Sequence, residues 1–438
     1  MKRLLQNTEF LILFGAQVSS LLAIGVMTVS LSLTAYDFGG VAFGGLVFGG
    51  ILALKMVAYV GVAPLAEAVL GRAPRRAVLI GLGLLRGAVV AAIVMSPNVW
   101  WVMGLAFLVF AASAGFTPLV QATIPDLLPD EADYTRALAV SRIAYTVEAV
   151  ASPLIAGLLL GLVAPQSLFV VPAILFLLSA SLIVWLRLPA LAAPPRAPFF
   201  DRLVRGARIY VRTPRLRGLW LVQFGLTAPL AWVLVNSVIY AGTHGRAAEL
   251  YPQLMMAYGI GTAAGALLVP RLVARVAERT IMVGGALGFG AVGLLIWLAP
   301  LPPAAFAVWA GLGAAASLVL TPGGVVLARS AAPRDRPALF AAQFALSHAG
   351  WLIAYPLAGI AGAVLGPEVA MAALSALCIM VAWAALLVWP AEDRAAVPHT
   401  HPDLPPGHPH LLAHADGTHR HPYFIDDLHP HWPTMRGV

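Results

Sequence analysis

Twelve apolar stretches, at 10–35, 42–66, 77–95, 99–121, 137–162, 166–186, 218–241, 251–270, 281–299, 304–328, 338–363 and 368–389, dominate this chain. Each is close to the roughly 20 residues a helix needs to cross a bilayer. Backbone polar groups in hydrocarbon must be satisfied internally, so such a chain folds as a bundle of membrane-spanning helices. With 60% hydrophobic and 11% charged residues, the composition excludes an ordinary soluble domain. Glycine and proline inside the stretches are tolerable, because neighbouring helices re-satisfy the freed groups. Met1-Lys2-Arg3 precede a run too long for a cleavable leader, so the run reads as an uncleaved first helix.

Basic residues give the orientation. With the amino terminus inside, Lys2, Arg3, Arg72, Arg75, Arg76, Arg136, Arg142, eight arginines from Arg187 to Arg217, Arg271, Arg275, Arg279, Arg329, Arg334 and Arg336 fall on that side. Only Arg246 falls on the other. The bias predicts a multi-pass protein of the bacterial inner membrane with both termini cytoplasmic. The net charge of +8 is then an orientation signal, whose partner is the anionic inner-leaflet lipid and not nucleic acid. A single cysteine, Cys378, rules out a disulfide framework.

The two halves repeat. Thr117-Pro118 is followed by Pro129-Asp130-Glu131 at the interval that separates Thr321-Pro322 from Pro333-Arg334-Asp335, and Ser152-Pro153-Leu154 matches Tyr355-Pro356-Leu357 at nearly the same shift. The chain divides into a six-helix half at 1–186, a basic linker at 187–217, a second six-helix half at 218–390 and a His/Pro-rich tail at 391–438. In the linker, prolines give way to an apolar stripe of Phe200, Leu203, Val204, Ala207 and Val211 opposite four arginines, the pattern of a helix lying on the inner leaflet.

Over residues 1–390 this organisation resembles the major facilitator superfamily of secondary transporters. The resemblance implies an all-α membrane protein of twelve transmembrane helices in two pseudo-symmetric halves, a monomeric carrier and not an enzyme, with no tightly bound cofactor. The family's conformational turn between helices two and three is matched, degenerately, by Glu67, Gly71, Arg72, Arg75 and Arg76, with glutamate for the usual aspartate and about one extra residue before Gly71. Glu148-x-x-x-Ser152-Pro153-x-x-Ala156-Gly157 resembles the antiporter motif of exporters. Residues 121–131 are similar to the loop after helix four of siderophore exporters. The helix-four arginine of proton-coupled drug exporters is missing, since 98–121 holds no charge. No Walker A pattern occurs that would supply an ATP motor.

Ionisable residues within membrane helices are costly and usually functional. Here they are Lys55, Arg86, Glu148 and His348. The family places helices one, five, seven and eleven around the central cavity, which implies a substrate and proton pathway of Gln17, Lys55, Tyr145, Glu148, Asn236, His348 and Tyr355. A carboxylate and an imidazole together suit a divalent ion or the proton exchanged for it, whereas Lys55 and Arg86 suit an anion. Helix three is peripheral in the family, which leaves Lys55 as the cation to be explained.

The tail suggests a metal. Nine of the eleven histidines lie within 399–431, as the pairs His399/His401, His408/His410, His419/His421 and His429/His431 with His414 between them. In an extended chain, residues i and i+2 point the same way, and prolines after His401, His408, His421 and His429 disfavour helix. Paired imidazoles suit borderline divalent ions such as Ni, Co and Zn. The alternative is that a segment such as Tyr423-Phe-Ile-Asp-Asp-Leu428 docks on the membrane domain. A facilitator with such a tail resembles bacterial nickel-resistance exporters, which implies proton-coupled efflux of Ni or Co. The other readings are efflux of an organic anion, siderophore or drug with the tail as a metal-sensing regulator, and a sensor or scaffold that moves nothing.

Overall fold

The computed structural model describes residues 6–62, 74–128, 130–188, 199–298, 304–332 and 335–391, and short tail pieces at 397–398, 405, 411, 420–421, 423–426 and 428–432. Its helices are α1 (Thr8–Val57), α2 (Arg75–Ile93), α3 (Val99–Leu127), α4 (Glu131–Leu160), α5 (Val170–Val184), α6 (Phe199–Arg212), α7 (Pro214–Thr243), α8 (Ala247–Val273), α9 (Glu278–Leu294), α10 (Ala304–Leu320), the short α11 (Gly323–Ala328), α12 (Arg336–Leu365) and α13 (Pro367–Val388). Capping fixes several starts. The Asn7 side chain accepts from Phe10 N at 3.0 Å, Asn98 accepts from Trp100 N and Trp101 N, and Asp130 accepts from Asp133 N. Two-residue strands pair Val397 with His421 and Pro398 with Arg420 in the tail.

At 50 residues, α1 would run about 75 Å if straight, over twice the hydrocarbon thickness. It folds back at Gly40, where φ is 59° and ψ −156°, a conformation open to glycine. Beyond the bend Gly44 lies so close to the first arm that a Cβ there would sit 3.0 Å from Tyr36 Cα. Hence α1 supplies two crossings. α4 begins with charged residues and ends in an apolar run at 151–160. With both counted, the described helices cross twelve times, six before α6 and six after, as expected from the sequence. Pro153 and Pro356, the repeat's markers, lie inside α4 and α12, the fifth and eleventh crossings.

The second half is held by close backbone approach. Gly261 and Gly265 form a small-xxx-small ridge on α8 that seats on α10: a Cβ at Gly261 would lie 1.8 Å from Ala310 O, and one at Gly313 would lie 2.0 Å from Tyr258 O. Gly261→Leu is therefore expected to force α8 and α10 apart and cost about 1–3 kcal/mol or more. The check is a melting curve of the purified protein; an unchanged midpoint would contradict this packing.

The linker helix α6 packs on α12. Gly206 abuts the Ala338 carbonyl, Ile209 and Tyr210 are buried, Arg205 Nε lies 2.7 Å from Asp335 Oδ1, and Tyr210 OH donates to Gln343 Oε1 at 2.5 Å. Of the predicted stripe, Val204 and Val211 are exposed, whereas the side chains of Phe200 and Leu203 lie outside the described residues.

A candidate substrate site between the halves

The two halves touch closely at the end of the bundle away from α6. A Cβ at Gly45 would meet Asn236 Oδ1 at 2.8 Å, one at Gly359 would meet Gly45 O at 2.7 Å, and one at Gly49 would meet Tyr355 O at 2.6 Å. Tyr36 packs on Gly242, Gly157 on Pro252, and Tyr251 hydrogen-bonds Ser32. Small residues let the return arm of α1 lie against α7 and α12, with α4 against α8. This seam closes one end of the space between the halves.

Deeper along the return arm lies a cluster of ionisable and aromatic groups. Lys55 and Tyr59 are one turn apart on one face, and the Lys55 ammonium stands 5.7 Å from the ring centres of both Tyr59 and Phe110. The Tyr59 ring faces His348 of α12 across the halves, 5.9 Å between centres, and lies within electrostatic range of Tyr145, Arg86 and Tyr355. His348 Nδ1 donates to Phe344 O at 2.8 Å, and its ring stacks on Phe344 at 3.8 Å. Glu148 Oε1 accepts from Ser152 Oγ at 3.0 Å in the niche left by Gly25, where a Cβ would come within 2.0 Å of that oxygen. Lys55 and Glu148 feel each other electrostatically yet form no ion pair. Lys55, Tyr145, His348 and Tyr355 are thus gathered around Tyr59, with Glu148 in electrostatic reach of Lys55. Neither Tyr59 nor Phe110 stands out in the sequence, although the i+4 spacing from Lys55 was a usable sign.

The remaining candidates lie elsewhere. Gln17 Oε1 accepts from Ser141 Oγ at 3.2 Å, joining α1 to α4. Asn236 is fully buried at the seam; its Nδ2 donates to Ala358 O at 2.8 Å, its Oδ1 has no hydrogen-bond partner among the described residues, and Gly362 leaves it room. Arg86, although on helix three, points into the first half. It donates to Ser20 Oγ at 2.7 Å and to Leu82 O, and lies over Phe116 and Phe176 at 3.9 and 4.5 Å. Of the conformational turn, Arg75 pairs with Asp126 and Arg76 donates to Val184 O, while Glu67, Gly71 and Arg72 lie outside the described residues.

A cavity of about 250 Å³ opens between α7, α10 and α12, lined by Trp220, Gln223, Phe224, Gln343, Ser347 and Trp351 among others. Gln343 Nε2 donates to Gln223 Oε1 at 2.7 Å, and the same Gln343 accepts from Tyr210 of the linker. The Trp351 ring packs tilted against Tyr355 at 4.9 Å, so the cavity adjoins the ionisable cluster along α12.

Part of the tail is seated on the linker end of the bundle. Tyr423 and Ile425 are buried in the main apolar core, with Trp432 packed against it. Asp426 Oδ1 accepts from Leu428 N, His429 N and His429 Nδ1 at 3.0, 2.9 and 2.8 Å. Burial raises this carboxyl's pKa, but the His429 hydrogen bond and charge outweigh it and hold it below the usual carboxylate range. Arg212 Nη1 donates to Pro430 O at 2.8 Å, and the Arg215 guanidinium lies 5.2 Å from the Trp432 ring centre. His399, His401, His408, His410, His414 and His419 lie outside the described residues, as does the side chain of His421. Among the described residues no three His, Cys, Asp or Glu side chains are grouped to hold an ion.

A twelve-crossing bundle in two halves, closed at one end over a charged and aromatic cluster, defines a membrane carrier. The family model of the Major Facilitator Superfamily matches residues 13–251 and 224–415, and the chain belongs to that superfamily of transporters. Among solved structures it is similar to a bacterial homologue of the human lysosomal transporter Spinster in an inward-facing, unoccupied conformation, at 15% identity and a TM-score of 0.70 over 87% of this chain and 97% of that one. It is similar to a mutant of the nucleoside transporter NupG at 12% identity and 0.71 over 86% and 100%, and to the POT family transporter PepTSo at 13% and 0.69 over 87% and 97%. At these identities the likeness is one of fold. A comparison with curated proteins found no match.

Proposed function

We propose that this carrier exports a small organic anion or zwitterion in exchange for protons, with Lys55 as the counter-charge for the substrate and Glu148 as the group that gains and loses the proton. The observation that carries the reading is the environment of Lys55. Its ammonium stands over two aromatic rings of the first half, one of which, Tyr59, faces His348 of the second, and among the described residues it has no carboxylate at ion-pair distance. Burying an unpaired charge is expensive, and an anionic group of the substrate relieves that cost when bound. Aromatic surfaces from Tyr59, Phe110 and the adjoining Trp220–Phe224 stack favour an organic body. Direction is supported by the resemblance of the Glu148–Gly157 stretch to exporter motifs. The arginines of α6 and the other linker-side segments support a cytoplasmic placement of that face in a bacterial inner membrane.

A second reading, efflux of Ni or Co, is favoured by the paired histidines of the tail. The two part in one experiment. Cells with and without the gene are challenged with Ni, Co, Zn and Cu salts, and reconstituted vesicles are tested with a panel of aromatic and aliphatic carboxylates under an imposed pH gradient. The expected result is carboxylate movement that Lys55→Met lowers at least tenfold, with metal accumulation unchanged. Lower nickel or cobalt accumulation that survives Lys55→Met would hand the case to the second reading.

A further inference from the structure

The seated tail piece carries the last of the paired-histidine motifs, and the structure seals it. His429 is 3% exposed, its Nδ1 is engaged by Asp426, and its ring is edge-on to Tyr423 at 4.6 Å. His431 is exposed, and its carbonyl accepts from Tyr423 OH at 2.7 Å. While the segment is seated, one imidazole of the pair is buried and the other is exposed. The same Asp426–His429 contact has the form that orients metal-ligating histidines, in which a carboxylate holds one ring nitrogen and leaves the other to the ion. Here the imidazole is buried with the segment seated.

The seat lies at a mechanically sensitive place. Arg212 ends α6 and Arg215 is in the first turn of α7, so the segment bridges the linker to the second half. Arg215 Nε also donates to Ser330 Oγ at 3.0 Å, and α6 is tied to α12 through Tyr210–Gln343 and Arg205–Asp335. A segment bound across this corner ties the linker to the second half.

We propose that residues 423–426 and 428–432 form a metal-released strap: seated, they brace the linker against the second half, and a divalent ion chelated by His429 and His431 can bind only the unseated segment and so sets the linker free. Binding and seating oppose each other by the same factor in either direction. An ion present well above its dissociation constant for the free segment therefore shifts the population toward release. The strap acts in the same way whatever the carrier moves.

The test uses the full-length protein in lipid nanodiscs, with Cys378→Ala and spin labels on cysteines placed at Leu428 and at Val364, which is exposed near the far end of α12. Double electron–electron resonance reads the distance, and Zn(II) is the probe because it is diamagnetic. The expected result is a narrow distribution without metal that broadens at micromolar Zn(II). His431→Ala should remain narrow before metal, since only its carbonyl serves the seat, and should need at least tenfold more Zn(II) to broaden. Trp432→Ala should be broad from the start. No response of the parent to Zn(II), an unchanged Zn(II) midpoint in His431→Ala, a broad metal-free distribution in that variant, or a narrow one in Trp432→Ala would each overturn the strap.

Discussion

Glu148→Gln is expected to abolish proton-driven transport, by about 100-fold or more, a loss of the size associated with removing an essential proton-transfer group. The protein should still fold and bind substrate. The amide keeps the size of the carboxyl and can accept from Ser152 Oγ, so the niche opposite Gly25 stays filled. What it loses is the ability to ionise. The competing role, neutralising Lys55, makes a different forecast: stranding a buried cation would destabilise the single variant, and Glu148→Gln/Lys55→Met would restore both stability and transport. Lys55 sits over Tyr59 and Phe110 without direct ion pairing to Glu148, which argues that the single variant melts close to the parent. Efflux from vesicles under a pH gradient, with melting measured in parallel, separates the two. Transport by the double variant would remove Glu148 from proton coupling, and transport by the single variant would remove it from both roles. Gly25→Val offers a check that keeps the glutamate but evicts its carboxyl from the niche, and the same loss is expected.

How much of this was written in the sequence depends on the scale of the interaction. The twelve crossings were legible because hydrocarbon imposes one dominant rule on composition and length. The bend at Gly40 fell where the apolar stretches were already divided. Lys55, Glu148 and His348 were legible as charges in apolar runs, since the cost of burial makes such residues rare. Tyr59 carried only its i+4 spacing from Lys55 as a sign, and Phe110 carried none, because an aromatic residue among apolar ones is unmarked until tertiary packing turns its face to a cation. Arg86 shows the reverse limit: the resemblance implied a peripheral helix, but the direction of its side chain is set by Ser20, Phe116 and Phe176 on neighbouring helices. The tail offered two readings, chelation or docking, and spacing alone could not choose between them. The burial of Tyr423, Ile425 and His429 shows a docked segment, while most of the paired histidines lie outside the described residues.

Gly359→Leu is expected to stop transport by a different route, through the seam and not the charged cluster. Carriers of this fold work by exposing a site between two halves to one side and then the other, so each end must close in turn. At the end away from the linker, closure brings the α12 backbone against Gly45 and Leu46 with no room for a side chain at 359: even a Cβ would lie 2.7 Å from Gly45 O and 3.1 Å from Leu46 Cα. Those are mostly rigid backbone neighbours, so a leucine there is relieved by separating the halves. Only the packing between the halves gives way, and the helix packing within each half is retained. Hence the variant should fold, reach the membrane with the parent's yield, and populate the state open at the seam. A state disfavoured by about 3 kcal/mol falls to under about 1% of molecules, enough to arrest the cycle. Labelling a cysteine placed at Asn236, which the seam buries completely, reads the opening directly. Reactivity should rise sharply in the Gly359→Leu background and stay low when Gly359 is intact. Full transport by Gly359→Leu with the probe still protected would mean that the seam opens and closes without this contact.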